Sequence, residues 1–283
     1  MPATPLADIA DMADIAVIGG SGLYSLLESV ERWAVDTPYG QPSDPVVVGV
    51  VGDRRVAFLP RHGADHRLPP HRIPYRANAW ALRALGVRQV LAPCAVGSLR
   101  PELGPGTLVV PDQLVDRTSG RPQTVHEGPH AVHVSFADPY DAGGRAAVLA
   151  AAREAGWEPV DGGTMVVVEG PRFSTRAESR WYAEQGWTLV NMTGHPEAVL
   201  ARELAMGYTA VALVTDLDAG VATGEEVTQE EVFRVFGEST DRLRRLLFDV
   251  VGRVPLDSPA ASALDGLTHD LEDRLAATTV RRA

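Results

Sequence analysis

The sequence is poor in cysteine, in positive charge and in long hydrophobic runs. Its one cysteine, Cys94, excludes an internal disulfide framework. The 26 basic residues are outnumbered by 37 acids, and the net charge of −11 argues against binding nucleic acid through its phosphates. No apolar run approaches the length of a membrane span, and the acidic start lacks the basic region of a signal peptide. We therefore expect a cytoplasmic protein with no nucleic-acid or membrane partner.

Short apolar runs alternate with helical patterns along most of the chain, which favours an α/β sheet covered by helices in a single domain. We expect this domain to cover residues 15–253, with 1–14 and 254–283 as partly mobile terminal extensions. The predicted strands are 15–18, 46–51, 56–59, 90–92, 108–110, 164–168, 188–190 and 209–214. The predicted helices are 77–85, 145–155, 176–185, 196–205 and 230–251.

Two carboxylates, Asp216 and Asp218, follow an apolar run that reads as a buried strand. Side chains alternate along a strand, so both acids are expected to point the same way. Adenine presents an N7 acceptor beside an N6 donor, and one protonated and one ionised carboxyl would match this edge. The alternative is that the acids only cap the following loop.

Two other strand ends carry groups suited to an anion. The turn Gly19-Gly20-Ser21-Gly22 offers backbone N–H groups and a hydroxyl, although it lacks a dinucleotide or Walker spacing and is equally compatible with a simple tight turn. Arg61 can contact phosphate oxygens with its forked guanidinium, and His62 can donate from its ring. Only His62 and His66 share an i, i+4 spacing, and prolines interrupt the segment, so no metal site is expected.

Further strand ends place small and hydroxyl residues where a loop backbone could touch a ligand. They contain Cys94, Ala95 and Thr193. Cys94 has no acidic or His partner nearby in sequence, which favours a small buried hydrophobe over a nucleophile. Thr175 and Glu178 form a capping-box pattern that explains part of the intervening segment, but capping does not explain Phe173.

Taken in order, these motifs resemble the 5′-methylthioadenosine phosphorylases of the trimeric purine nucleoside phosphorylase family. The resemblance runs from about residue 15 to residue 253. It is carried by Gly19-Gly20-Ser21-Gly22, Arg61-His62-Gly63, Val96-Gly97-Ser98-Leu99, Asp112-Gln113-Leu114-Val115-Asp116-Arg117-Thr118, Glu169-Gly170-Pro171-Arg172-Phe173-Ser174, Asn191-Met192-Thr193 and Thr215-Asp216-Leu217-Asp218.

The resemblance implies a mixed, twisted central sheet flanked by helices, and phosphorolysis of a 5′-modified adenosine with inorganic phosphate as co-substrate and no other cofactor. Asp216 would protonate or hydrogen-bond N7 of the purine, and Asp218 would accept from its 6-amino group. The implied phosphate-binding residues are Ser21, Arg61, His62, Ala95 and Thr193, with Cys94 beside them. The implied nucleoside-binding residues are Phe173 and Ser174 at the base, Met192 at the sugar, and His133, Gln229 and Val232 at the 5′ end.

The resemblance also implies a homotrimer in which His133 reaches the 5′ end across a subunit interface. Two departures leave the substrate open. Gly194-His195 occupies a position where a similar run occurs in relatives that act on 6-oxopurines, and the polar Gln229 lies in a pocket expected to be apolar. Because both acids are present, a 6-aminopurine is favoured. The alternatives are a 6-oxopurine nucleoside phosphorylase and a phosphorylase for another 5′-substituted adenosine, such as a halogenated one. A non-catalytic nucleoside-binding module is disfavoured by Arg61 and His62.

Overall fold

The computed structural model describes residues 12–19, 28–221 and 227–283. Within these ranges the chain forms twelve strands and six α-helices. The strands are β1 (Ile15–Gly19), β2 (Glu28–Asp36), β3 (Val46–Val51), β4 (Arg54–Pro60), β5 (Gln89–Ser98), β6 (Leu108–Val110), β7 (Gln113–Arg117), β8 (Val160–Asp161), β9 (Thr164–Val168), β10 (Leu189–Asn191), β11 (Gly207–Leu217) and β12 (Thr279–Arg282). The helices are α1 (Tyr75–Ala84), α2 (Ala142–Glu154), α3 (Arg176–Glu184), α4 (Gly194–Glu203), α5 (Gln229–Arg253) and α6 (Leu271–Ala276). Short 3₁₀ helices lie at Pro70–Arg72 and Pro259–Ser262.

Strand β5 is the centre of a mixed twelve-stranded sheet. One of its edges pairs with β1 in parallel near the start and with β10 in antiparallel near the end. The other edge pairs in parallel with β11 along the whole strand. The path continues outward as β4, β3, β2 and β12 on one side and as β9 and β7 on the other. The predicted mixed sheet flanked by helices is confirmed.

Helices cover both faces of this sheet because its central strands are apolar on both sides. The larger core, which includes the fully buried Trp80 and Leu200, packs α1, α4 and α6 on one face. A second core, which includes Val148 and Leu246, packs α2 and α5 on the other. Tyr182 of α3 belongs to a small third cluster near the end of β5. The sheet is therefore fixed between two helical layers, and its strand ends are left to form the site.

The predicted strands and helices all appear; 46–51, 108–110 and 164–168 have the predicted bounds, and the others have shifted ends. The patterns of β2, β7, β8, β12 and α6 were too short or too polar to be recognised.

The C-terminal segment, expected as a partly mobile extension, is packed onto the domain. Leu271, Leu275 and Val280 are buried. Trp80 Nε1 donates to Thr278 Oγ1 at 3.0 Å, and β12 pairs with β2 in antiparallel. An apolar residue every few positions in this segment covers the exposed side of α1 and the edge of β2. Of the expected N-terminal extension, 1–14, residues 1–11 lie outside the described residues.

Candidate active site

A cavity of about 650 Å³ lies along the second half of β5, where the ends of β4, β10 and β11 meet. Of the fourteen residues that the sequence predicted for the site, twelve line this cavity: Arg61, His62, Cys94, Ala95, Phe173, Ser174, Met192, Thr193, Asp216, Asp218, Gln229 and Val232. Ser21 lies outside the described residues. The strand topology thus gathers residues that are up to 171 positions apart in sequence, from Arg61 to Val232.

The two acids lie side by side because they are two residues apart at the end of β11, and side chains alternate between the two faces of a strand. The register shifts between Val214 and Asp216, after which Asp216 lies opposite Gly97. A Cβ atom on Gly97 would lie 3.0 Å from Asp216 Oδ1 and 3.2 Å from Asp218 Cβ. Gly97 is therefore required for both carboxyl groups to share this corner of the cavity.

The two carboxyl groups have different surroundings. Thr215 Oγ1 donates to Asp216 Oδ2 at 2.8 Å. Burial raises the pKa of Asp218, and the nearby hydroxyls of Ser179 and Ser174 only partly oppose this change. Asp218 Oδ2 has no hydrogen-bond partner among the described residues. The two acids therefore differ in their hydrogen-bond partners within the described residues.

Arg61 supplies a buried positive charge at the end of β4. Its guanidinium donates to both oxygens of Glu197, to Ile18 O at 2.9 Å and to Pro93 O at 3.2 Å. Four of its five N–H groups are therefore engaged by the described protein. The predicted two-pronged grip of Arg61 on phosphate is wrong, because its fork already holds Glu197. What Arg61 offers the cavity is a fixed charge and one remaining N–H of Nη1.

His62 lies next to Arg61 and is held through its ring. Nδ1 must carry a proton, since it donates to the carbonyl oxygen of Leu68 at 2.8 Å. The ring stacks on His66 with the centroids 4.6 Å apart. Burial, reinforced by the charge of Arg61, lowers the pKa of His62 to about 4. The ring is therefore neutral near pH 7 with Nε2 as an acceptor, and not the donor expected from the sequence.

The loop after β10 places small polar groups in the same cavity as Arg61 and His62. Asn191 Oδ1 accepts from the backbone N–H of Thr193 at 2.8 Å and of Gly194 at 2.7 Å, and Asn191 Nδ2 donates to Ala95 O. Thr193 and Ala95 both line the cavity. Burial raises the pKa of Cys94 to about 12, so its thiol is neutral, in agreement with its interpretation as a small buried side chain.

The segment after β9 forms another wall of the cavity, with Pro171, Phe173 and Ser174. It approaches the loop after β10 so closely that a Cβ atom on Gly170 would lie 2.6 Å from Met192 Sδ. Gly170 also has a φ of +64°, a conformation that favours glycine. The segment then enters α3 through the predicted capping box of Thr175 and Glu178.

The wall farthest from the acids is formed by the first turns of α5. Gln229 and Val232 lie there, as the sequence predicted, together with Phe233, Phe236 and Thr240, which it did not. Phe233 packs edge-on against His66, with the ring centroids 5.5 Å apart. Sequence patterns alone had assigned these residues only to a helix, because the helix face that meets a cavity depends on its packing.

Two residues that bear on the sequence hypotheses lie outside the cavity lining. His133 is exposed, on an extended segment whose alternate residues Val132 and Val134 pack on the core. His195 is buried, and its Nε2 lies 3.0 Å from Gln123 Oε1 and 3.2 Å from Asp116 Oδ2. His195 is thus not placed to contact a purine directly.

Within the part of the chain that the structure describes, no three His, Cys, Asp or Glu side chains are grouped to hold a metal ion. No helix there has the length and apolar character needed to cross a membrane.

Known proteins have sequences similar to that of this chain. A sequence model described as the phosphorylase superfamily matches residues 14–252. A purine nucleoside phosphorylase of Streptomyces coelicolor is 63% identical over 89% of this chain and 94% of its own. An S-methyl-5′-thioadenosine phosphorylase of Mycolicibacterium smegmatis is 58% identical over 88% of this chain and 94% of its own.

Solved structures agree with the sequence comparison. A methylthioadenosine phosphorylase from an antarctic soil metagenomic library superposes with a TM-score of 0.86 at 39% identity, over 94% of this chain and 98% of that one. A methylthioadenosine phosphorylase of Schistosoma mansoni, solved in complex with adenine, gives a TM-score of 0.79 at 37% identity, over 85% and 91% of the two chains. Sequence and fold together show that this chain belongs to the phosphorylase superfamily.

Proposed function

We propose that the protein cleaves 5′-deoxy-5′-methylthioadenosine with inorganic phosphate, giving adenine and 5-methylthioribose 1-phosphate. The observation that carries this proposal is the position of two carboxyl groups, Asp216 and Asp218, in the same cavity as the buried cation Arg61. A purine and an anion would occupy these two regions. The curated relatives named S-methyl-5′-thioadenosine phosphorylase, at 58% and 60% identity, support the choice of nucleoside.

The reaction makes opposite demands at the two ends of the cavity. As the bond between C1′ and N9 breaks, its electron pair moves into the purine and positive charge develops on the sugar. A phosphate oxygen then forms the new bond to C1′, and N7 receives a proton. Preorganised charges aimed at the developing charges stabilise such a transition state. Phosphate beside the sugar and a protonated carboxyl at N7 meet these demands.

The residues fall into three groups in this proposal. Phosphate is held by Arg61, Ala95, Thr193 and Ser21, with Cys94 beside them. His62 Nε2 accepts a hydrogen bond from the hydroxyl group of the phosphate. Phe173 and Ser174 flank the base, where Asp216 serves N7 and Asp218 accepts from the 6-amino group. Met192 contacts the sugar, and Gln229 and Val232 surround the 5′ substituent.

We further propose a homotrimer that works in the cytoplasm with phosphate as its co-substrate and no other cofactor. His133 supports a shared site because it is exposed and lies outside the cavity lining of its own chain. In the trimer it would reach the 5′ end of the nucleoside in the neighbouring subunit. Sedimentation analysis tests the assembly, and His133→Ala tests the contact through a raised KM for the nucleoside with phosphate KM unchanged.

A second candidate function is phosphorolysis of 6-oxopurine nucleosides. It is favoured by the relative at 63% identity, which is named purine nucleoside phosphorylase. The pair of acids argues against it, because a 6-oxopurine presents two acceptors where adenine presents one acceptor and one donor. The polar Gln229 also keeps another 5′ group, such as hydroxyl or halogen, as a competitor of methylthio.

The test is phosphate-dependent turnover of 5′-methylthioadenosine, adenosine, a 5′-halogenated adenosine and inosine, compared as kcat/KM on one preparation. We expect 5′-methylthioadenosine to have the highest value. A higher value for inosine would replace the proposal with the second candidate, and a higher value for another adenosine would change only the 5′ group.

A further inference from the structure

Arg121 is a buried cation outside the cavity lining, in the loop that follows β7. Its side chain is 3% exposed. Nε donates to Glu169 Oε2 at 3.1 Å, and Nη2 donates to Glu169 O at 2.6 Å and contacts Val168 O at 3.5 Å. Nη1 has three acceptors, Tyr75 Oη at 3.0 Å, Met192 O at 2.9 Å and His195 O at 2.7 Å. Every N–H of the guanidinium therefore faces a protein acceptor, and none is left for a ligand.

The acceptors of Arg121 belong to segments that form different walls of the cavity. Glu169 precedes the base-flanking segment that contains Phe173 and Ser174. Met192 follows β10 and lines the cavity at the proposed sugar position. The guanidinium of Arg121 hydrogen-bonds both segments, through Glu169 O and Met192 O. Its rigid plane fixes the separation of the two segments.

The two segments are also in direct contact, so a change in one is transmitted to the other. A Cβ atom on Gly170 would lie only 2.6 Å from Met192 Sδ, which shows how closely the two segments approach. The Glu169 carboxylate in addition accepts from the backbone N–H of Ser119 at 2.8 Å, which ties the loop that carries Arg121 to the same point. Loss of the guanidinium would release both segments together.

We propose that Arg121 is a positioning residue that sets the distance between the base-flanking segment around Phe173 and the sugar-contacting Met192. This inference rests on the proposed function for the identity of the nucleoside, but not for the geometry. It makes Arg121 a determinant of nucleoside binding. The effect on phosphate should be smaller, because Arg61 and His62 are not among the groups that Arg121 holds, although Thr193 lies in the loop between Met192 and His195.

Arg121→Lys tests the proposal, because lysine keeps the charge but cannot reach acceptors at both ends of the fork. We expect KM for 5′-methylthioadenosine and Kd for adenine to rise roughly 10- to 100-fold. Lysine loses charge-assisted hydrogen bonds of the guanidinium, and both segments that contact the nucleoside are then held less firmly. The KM for phosphate should change by less than the KM for the nucleoside, because Thr193 is the one described phosphate ligand of the proposal that lies in a segment held by Arg121.

Arg145→Lys is the matched control. Arg145 donates to Pro111 O and Val110 O and pairs with Asp161, so it too holds strand-end carbonyls, but away from the cavity. This variant should lower Tm while leaving both KM values unchanged. Glu169→Gln, at a partly exposed position, should raise nucleoside KM about 3- to 10-fold by the loss of one charged partner, and it decides the matter if Arg121→Lys does not fold.

The proposal is overturned if the folded Arg121→Lys protein binds adenine and nucleoside within about threefold of the wild type, or if it weakens phosphate equally. Failure of the proposed function is a separate result. It appears as absent turnover of 5′-methylthioadenosine by the wild-type protein, and the comparison of adenine Kd values then still tests the role of Arg121.

Discussion

Replacing Asp218 by Asn should reverse the base preference of the enzyme. The side chain keeps its shape, but the oxygen that accepts from a 6-amino group is exchanged for an amide that can donate to a 6-oxo group. Asp218 lines the cavity, so in the proposed function its carboxylate is the expected acceptor for the 6-amino group of the base.

The size of the effect follows from the hydrogen bonds exchanged. Loss of a bond to a charged group costs about 1.5–3 kcal/mol, and a new neutral bond to the 6-oxo group contributes about 0.5–1.5 kcal/mol. The ratio of kcat/KM between the two kinds of substrate should therefore change by about 2–4.5 kcal/mol, which corresponds to roughly 30- to 2,000-fold.

The assay compares 5′-methylthioadenosine with 5′-methylthioinosine, which differ only at position 6. It is repeated across pH, since burial raises the pKa of Asp218. Wild-type kcat/KM for the adenosine should fall as the pH drops through that raised pKa, because protonation removes the acceptor. The Asn variant should lack this fall. Asp53→Asn, in an exposed turn between β3 and β4, is the control for a carboxyl-to-amide change.

A folded Asp218→Asn protein whose substrate ratio stays within about threefold of the wild type would refute the assignment of Asp218 to the 6-amino group. A pH profile that keeps its acidic fall in this variant would show that another group controls it.

Three other perturbations address the remaining parts of the site. Asp216→Asn should lower kcat for 5′-methylthioadenosine by about 10²- to 10⁴-fold, but far less for a nucleoside with an activated leaving base; equal losses would contradict an acid role. Glu197→Gln should destabilise the fold by about 3–5 kcal/mol in denaturant titrations and raise phosphate KM, because it leaves Arg61 without its ion pair; unchanged stability would contradict this. The pKa of His62 is lower in the folded state than in the unfolded state, so about 3 kcal/mol of stability should be lost as the pH falls from about 6.5 to 4, and His62→Gln should flatten this part of the stability profile.

The sequence predicted the cavity well because its residues follow strands that are easily recognised. An apolar run precedes each of three parts of the site: the acids at the end of β11, the cation after β4 and the loop after β10. The ends of such runs meet at one part of a sheet. Arg61 and His62 were placed correctly but their bonding was not. Glu197 and Leu68, which occupy their donors, come from a distant helix and from a loop, and no local pattern connects them.

Arg121 and the C-terminal segment show where sequence reasoning ends. Arg121 lies in a loop without periodicity, and its acceptors are mostly backbone carbonyls, which every residue has. The burial of Leu271 and Val280 depends on the uncovered side of α1 and the free edge of β2. Such complementarity becomes visible only when both surfaces are present.

The central position of β5 also has a consequence for biosynthesis. One edge of this strand pairs with β11, which is made about 110 residues later, or roughly 5–20 s later at about 5–20 residues per second. Until then an apolar edge of β5 beside the cavity is unpaired on the growing chain. The two acids at the end of β11 have also not yet been synthesised. Ribosome-bound intermediates that end before Gly207 should therefore associate with one another or with chaperones. The nascent chain should dissociate from these partners once β11 has been synthesised and has paired with β5.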